Sequence, residues 1–130
     1  MKYLIIIIVL GLVVMSCSKS DNSSKNISKK TSISALDIKN KLDNKESLNI
    51  IDVRSESEYF GSVGHIQNAT LVPLPSIASA LDALKNLEGE VYIICLSGKR
   101  SAVAAKLLRA NSINALNIEG GMLAWNNLIK

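Results

Sequence analysis

Of the two cysteines in this 130-residue chain, Cys95 stands where a thiol can react. It ends the apolar run Val91-Tyr92-Ile93-Ile94 and opens the loop Leu96-Ser97-Gly98-Lys99-Arg100-Ser101. A thiol set between a buried strand and a helix N-terminus, with two cations in the loop, is placed to ionise and act as a nucleophile. The successive backbone N–H groups from Cys95 to Ser101 can turn inward as an anion-binding nest, which would hold an anionic sulfur or oxygen of a substrate. Gly98 lets the turn close tightly, and Ser101 is placed to cap the helix that follows.

That site needs a scaffold, and the apolar pattern supplies one. Leu48 to Val53, Ala69 to Val72, Val91 to Cys95 and Ala115 to Ile118 are short, β-branched and only partly alternating, as expected of strands covered on both faces. Thr31 to Ser34 adds a short first strand. Between them, apolar residues recur at helical spacing: Ala35, Ile38 and Leu42; Ile77, Leu81, Leu84 and Leu87; Val103, Ala104, Leu107 and Leu108; and Met122, Trp125 and Ile129. The alternation predicts an α/β fold, a small parallel sheet of four or five strands with helices on both faces and right-handed crossovers. Pro73 and Pro75 interrupt the chain before the second helix, with Ser76 as its cap, and Gly120-Gly121 frees the backbone before the last. Ligands of such sheets sit beyond the carboxyl ends of the strands, where Cys95 lies.

The first residues read differently. Met1-Lys2 precedes thirteen uncharged residues, Tyr3 to Met15, then Ser16-Cys17. As a helix that run would rise only about 20 Å against a hydrocarbon core of roughly 30 Å, so it reads as a secretory signal rather than a membrane span. Val14-Met15-Ser16-Cys17 resembles the lipobox of bacterial lipoproteins, which implies residues 1–16 as signal peptide and lipidation of Cys17. The alternative is an uncleaved anchor with an incidental cysteine. Ser18 to Ser32 is rich in Ser, Asn and Lys with Ile27 its one large apolar side chain, so residues 17–32 are expected as a flexible tether and 33–130 as the domain. The expected location is the cell envelope, lipid-anchored on the periplasmic face of a bacterial membrane or at the cell surface. Lys19, Lys25, Lys29 and Lys30 suit weak attraction to anionic headgroups, or simply solvate the tether. With three arginines and 4% aromatic residues, no nucleic-acid surface is expected. With Cys17 lipidated, Cys95 has no intramolecular partner.

Residues from about Ser34 to Ile129 resemble the rhodanese-like sulfurtransferase domain through four motifs in order: Ile51-Asp52-Val53-Arg54 with Glu58-Tyr59; Gly64-His65-Ile66 leading to Ala69 and Val72-Pro73-Leu74; Cys95-x-Ser97-Gly98-x-Arg100-Ser101; and Glu119-Gly120-Gly121-Met122 with Ala124-Trp125. The resemblance implies that Cys95 takes a sulfane sulfur from a small sulfur-containing anion such as thiosulfate, becomes a persulfide, and passes the sulfur to a thiol or cyanide. It implies no metal or organic cofactor, and the domain is expected to act as a monomer. The substrate would lie against Leu96, Ser97, Gly98, Lys99, Arg100 and Ser101, with Arg100 binding the anion and closing the loop. Leu96 stands where many members of the family carry arginine, and Gln67-Asn68 replaces their Pro-Gly.

Other roles follow from the residues. Asp52, at a strand end, is expected to accept backbone hydrogen bonds that support the loop, Arg54 to pair with Glu56 or Glu58 on the surface, His65 to be structural, and Trp125 to lie in the core. Two other functions fit the same fold. A rhodanese-fold phosphatase or arsenate reductase would have one more residue between cysteine and arginine than Leu96 to Lys99 provide; a non-catalytic binding module would typically lack the cysteine, so Cys95 argues against that reading but leaves a redox-sensing or docking role open.

Overall fold

The computed structural model describes residues 29–130; the signal, lipidation and most of the tether assigned to residues 1–28 lie outside them. Five parallel strands, β1 (Ser32–Ser34), β2 (Asn49–Asp52), β3 (Thr70–Leu71), β4 (Val91–Ile94) and β5 (Ala115–Glu119), form one sheet in the order β1-β5-β4-β2-β3. Among the described residues, no helix is long and apolar enough to cross a membrane.

The sheet divides the core in two. Successive side chains of β4 point to opposite faces, so Tyr92 and Ile94 pack with Ile38, Leu116, Ile118 and Trp125, while Ile93 and Cys95 pack with Ile77, Ala104 and Leu108. The first face is covered by α1 (Ala35–Asp43) and α5 (Gly121–Leu128), the second by α3 (Leu81–Lys85) and α4 (Lys99–Ala110). Each fully buried isoleucine or leucine contributes about 1.5–3 kcal/mol of transfer free energy, and β4, buried at every position, is the centre of that core.

Several local expectations change. On α4 the buried positions are Ser101, Ala104, Ala105 and Leu108, whereas Val103 and Leu107 are exposed; small alanines let the helix approach the sheet, and the larger apolar residues face outward. Ile129 is exposed beyond the end of α5, while Met122 and Trp125 are buried as expected. The second helix is broken: 3-10 turns at Leu74–Ser76 and Ala78–Ala80 precede α3. Ser76 caps nothing; its carbonyl accepts the Ser79 hydroxyl. Strand β1 forms where a short first strand was expected at Thr31 to Ser34, and the Thr31 carbonyl accepts the Asn117 N–H.

A further helix, α2 (Glu56–Tyr59), has a capping box: Ser55 Oγ accepts the Glu58 N–H and the Glu58 carboxylate accepts the Ser55 N–H. The chain then turns through Gly64 to Asn68, where Asn68 holds φ 65°, a left-handed conformation that asparagine tolerates better than most residues. His65 stacks on Tyr59 at 3.7 Å between ring centroids, with Nδ1 2.9 Å from the Tyr59 carbonyl, so its role here is structural.

Candidate active site

Beyond the carboxyl end of β4 the chain wraps around its own sulfur. Gly98, with φ 93°, occupies the position before α4, and its N–H donates to Cys95 Sγ at 3.1 Å. A side chain there would be strained by that φ and would press within 3.0 Å of the Gly120 nitrogen. Ser101, expected as the cap, instead lies in the first turn of α4, fully buried, with Oγ 3.2 Å from Cys95 Sγ and 2.6 Å from Asn117 Oδ1. Its single proton serves one acceptor at a time. An ionised sulfur is the stronger claimant, and an Asn117 amide turned to offer its N–H₂ would hold the same oxygen in place.

The electrostatics of Cys95 follow. Burial alone pushes the thiol up, because the charged form loses water. The Ser101 hydroxyl and the amides of Ser101, Gly98 and Ser97 together outweigh that and bring the thiol below its ordinary value. The lowering expected from sequence is carried mainly by these hydrogen bonds, one of them from the N–H of Ser101 in the first turn of α4, with the Arg100 charge also acting on Cys95. Since the folded state holds the thiolate better than the unfolded chain, ionised Cys95 contributes stability above the ordinary thiol pKa that is lost as pH falls through the lowered one. Ser101→Ala removes one of these donors. The pH profile of Cys95 alkylation is expected to move upward, with slower alkylation near neutrality; an unmoved profile would show that the hydroxyl does not stabilise the thiolate.

The last helix supports the loop from below. The N–H groups of Met122 and Leu123, at the start of α5, donate to the carbonyls of Cys95 and Leu96 at 2.9 and 3.0 Å. That approach is possible because residue 121 lacks a side chain: a Cβ there would run into the Cys95 carbonyl and lie 2.6 Å from that of Leu96. Gly121 thus fixes the loop from a different strand–helix junction.

The two loop cations differ. Lys99 is exposed and makes no side-chain hydrogen bond or ion pair among the described residues. Arg100 is half-buried and clamped by Glu58, Nη1 to Oε2 at 2.8 Å and Nη2 to Oε1 at 2.6 Å. The Arg100 guanidinium holds the Glu58 carboxyl down at about 2, against a smaller opposing effect of desolvation. A depressed carboxyl contributes stability that is present above its ordinary 4.5 and lost as pH falls toward 2, so this latch is closed at neutral pH.

Asp52 and Arg54 depart most from expectation. Arg54 does not pair with Glu56 or Glu58 at the surface; it is fully buried, as is Asp52. Asp52 accepts the Arg54 backbone N–H at 3.0 Å, Nε at 2.9 Å and Nη2 at 2.6 Å, and so makes no direct bond to the Cys95 loop. Its support is relayed: Arg54 donates to the carbonyls of Glu58, at 3.3 Å, and Gly64, at 2.8 Å, and Glu58 holds Arg100. The reason is local, since a strand end followed by one extended residue brings the two side chains onto the same side.

The structure thus gathers Cys95, Ser97, Gly98 and Ser101 around one sulfur and turns Leu96 to the opposite face of the sheet, where it lines a cavity of about 220 Å³ with Arg54, Ser57, Glu58, Gly61, Ser62 and Val63. From sequence Glu58 was named only as a motif residue and a surface partner for Arg54, not as the partner of Arg100, and Asn117 was not named as a site residue. The Ser55-x-x-Glu58 capping box was a readable signal for the first; nothing local marks the second.

The profile of the Rhodanese-like domain family matches residues 34–128. YtwF of Bacillus subtilis, named provisionally as a sulfurtransferase, is 34% identical over 98 residues, covering 75% of this chain and 92% of that one. YrkF of the same organism, named provisionally as a sulfur carrier protein, is 38% identical over 106 residues, covering 81% of this chain; the chain spans just over half, 56%, of its length. A crystal structure of a rhodanese-like domain protein from Staphylococcus aureus superposes with a TM-score of 0.66 at 41% identity, covering 73% of this chain and 90% of that one.

Proposed function

The chain belongs to the rhodanese-like domain family, and from that premise we propose that it is a sulfurtransferase in which Cys95 carries the sulfur. The observation that carries the reading is the pair of donors on one sulfur, Gly98 N–H at 3.1 Å and Ser101 O–H at 3.2 Å. They favour the thiolate, which is the attacking form. With thiosulfate as donor, the thiolate attacks the outer sulfur, a Cys95 S–S bond forms, the donor's S–S bond breaks, and sulfite leaves with the electron pair. A thiolate or cyanide then attacks the outer sulfur of the persulfide and returns Cys95 as thiolate. Neither step needs an external oxidant, because sulfur is only passed on. Loop amides pointing inward stabilise the negative outer sulfur.

The ring from Cys95 to Arg100, with four residues between, favours this reaction over phosphoryl or arsenate chemistry, since a tighter ring fits one sulfur better than a tetrahedral oxyanion. Sulfur transfer to cyanide and hydrolysis of an aryl phosphate, measured side by side, test the assignment: transfer without hydrolysis is expected, and substantial hydrolysis by the unmodified protein would reverse it. Inserting one glycine between Gly98 and Lys99 enlarges the ring and displaces the donors, so transfer is expected to be lost, with weak aryl-phosphate or arsenate turnover as the gain to look for.

The apolar run ending at Val14-Met15-Ser16-Cys17 supports a lipid-anchored protein in the cell envelope, with Cys17 as the modified N-terminus. Stable anchoring takes more than one acyl chain, which a diacylglyceryl group supplies. Cys17→Ser is expected to move the protein out of the membrane fraction. A mature N-terminus at any other residue would contradict this reading.

A further inference from the structure

Within β5, Asn117 sets a polar side chain among buried neighbours: Ala115, Leu116 and Ile118 are buried and Asn117 itself is half-buried. The sheet fixes its backbone from both sides, in register with Ile93 of β4 and with Ser32 of β1. An amide in such a place costs stability unless it is hydrogen-bonded. Among the described residues, the one side-chain hydrogen bond of Asn117 is with Ser101, whose Oγ stands 2.6 Å from Asn117 Oδ1 and 3.2 Å from Cys95 Sγ. A serine in a helix has another choice. Its hydroxyl can turn onto a carbonyl three or four residues back, which for Ser101 means Gly98 or Ser97, and a proton given there is withheld from the sulfur. Asn117 offers the competing partner from outside the helix. An amide suits that task because it carries an acceptor and donors at one end, whereas leucine has neither and aspartate only accepts.

We propose that Asn117 is a positioning residue for Cys95: its amide holds the Ser101 hydroxyl at the sulfur, accepting the hydroxyl proton on Oδ1 while Cys95 is a thiol and donating N–H to Ser101 Oγ, so that the proton turns to sulfur, once Cys95 is a thiolate. The inference rests on the sulfurtransferase reading and deepens it, since the thiolate is the form that attacks. The same pair serves the return of sulfur, when Cys95 leaves as thiolate with the hydroxyl already beside it. The charged groups around the sulfur are separate from this pair. Lys99 and Arg100 open α4, and farther along it Lys106 is exposed while Arg109 donates to the Ala115 carbonyl. Asp52 and Arg54 pair at the end of β2, and Glu58 of α2 clamps Arg100. Asp82 and Lys85 of α3 are exposed, Glu119 of β5 accepts the Ser32 hydroxyl, and α5 carries no charged side chain. A neutral substitution at position 117 alters none of them.

The test is a double-variant cycle on the full-length protein, reading the ultraviolet absorbance of the Cys95 thiolate against pH, with the matching Cys95→Ser protein as blank. Asn117→Leu is expected to raise the titration midpoint by about one pH unit, a roughly tenfold smaller thiolate fraction below it, and Ser101→Ala by as much or more. In the Ser101→Ala background, Asn117→Leu should add nothing. Sulfur uptake from thiosulfate by Asn117→Leu should fall with the thiolate fraction near neutrality and recover above the raised midpoint, which a general loosening of the fold would not produce. Asn117→Asp keeps the shape, holds the Ser101 proton for itself and adds a like charge, so its midpoint should rise further; it keeps the test available should Asn117→Leu fold poorly. A midpoint unmoved in Asn117→Leu, a shift that survives in the Ser101→Ala background, or an Asn117→Asp midpoint at or below that of the unmodified protein would overturn the inference. Absence of sulfur uptake from thiosulfate and from persulfide donors at every pH, beside titrations that follow the expected cycle, would instead overturn the sulfurtransferase reading and leave the coupling of Asn117 to Cys95 standing.

Discussion

Cys95→Ser is expected to abolish sulfur transfer, with activity falling at least about a thousandfold. The loop that serves a thiolate cannot serve a hydroxyl, because the donors at 3.1 and 3.2 Å lower an acid that is already within reach of neutral pH, whereas an alkoxide lies far above it. An oxygen nucleophile also cannot carry the sulfur onward as a persulfide. The variant should fold, since serine is smaller than cysteine and faces the same hydrogen-bond donors. Thermal unfolding measured beside thiosulfate turnover separates the two effects: a folded, inactive protein is expected, and turnover within tenfold of the unmodified protein would place the sulfur-carrying group elsewhere.

The largest loss of stability is expected from Asp52→Ala. It leaves the Arg54 guanidinium, fully buried, without its counter-charge. Removing one member of a buried ion pair costs about 3–5 kcal/mol, much of the stability of a small domain, and should lower Tm by more than about 10 °C. Replacing both members with aliphatic side chains, Asp52→Leu with Arg54→Met, removes the stranded charge and should restore part of the loss. Full recovery is not expected, because the Glu58 and Gly64 carbonyls lose the donors that Arg54 supplied. Denaturant melts of the single and double variants decide the matter. A single-variant loss below about 1 kcal/mol would mean that the pair behaves as an exposed one.

What the sequence made legible, and what it left hidden, divides along the range of the interactions. The strands could be read because β4 is a run of apolar residues buried at every position, and such a run has few alternatives in a chain whose other segments repeat at helical spacing. Cys95 could be read because strand end, glycine and cations stand side by side. The helix faces were less legible: Val103 and Leu107 are as apolar as the residues that are buried, and only the close approach of Ala104 and Ala105 to the sheet decides which face turns inward. Charge partners were least legible. Arg100 finds Glu58 from 42 residues away, and Ser101 meets Asn117 from the next strand. Arg54 turns back to Asp52 only two residues away, a pair that was missed because both residues were expected to lie nearer solvent, whereas both are fully buried. The support that α5 gives the loop through Gly121 depends on a junction between distant segments, although the double glycine marked the place.

Local and long-range contacts together give the site its character. The loop amides and Ser101 supply the thiolate, Gly121 lets α5 hold the loop carbonyls, and the Asp52–Arg54 pair together with α2 presents Glu58 to Arg100. The measurement that tests the central claim most directly is the intact mass of the full-length protein before and after exposure to a sulfane-sulfur donor, followed by addition of cyanide. The account predicts a gain of one sulfur atom, located on Cys95 by peptide mapping, absent in Cys95→Ser and removed by cyanide. No gain with thiosulfate or with any persulfide donor, or a gain that persists in Cys95→Ser, would contradict it.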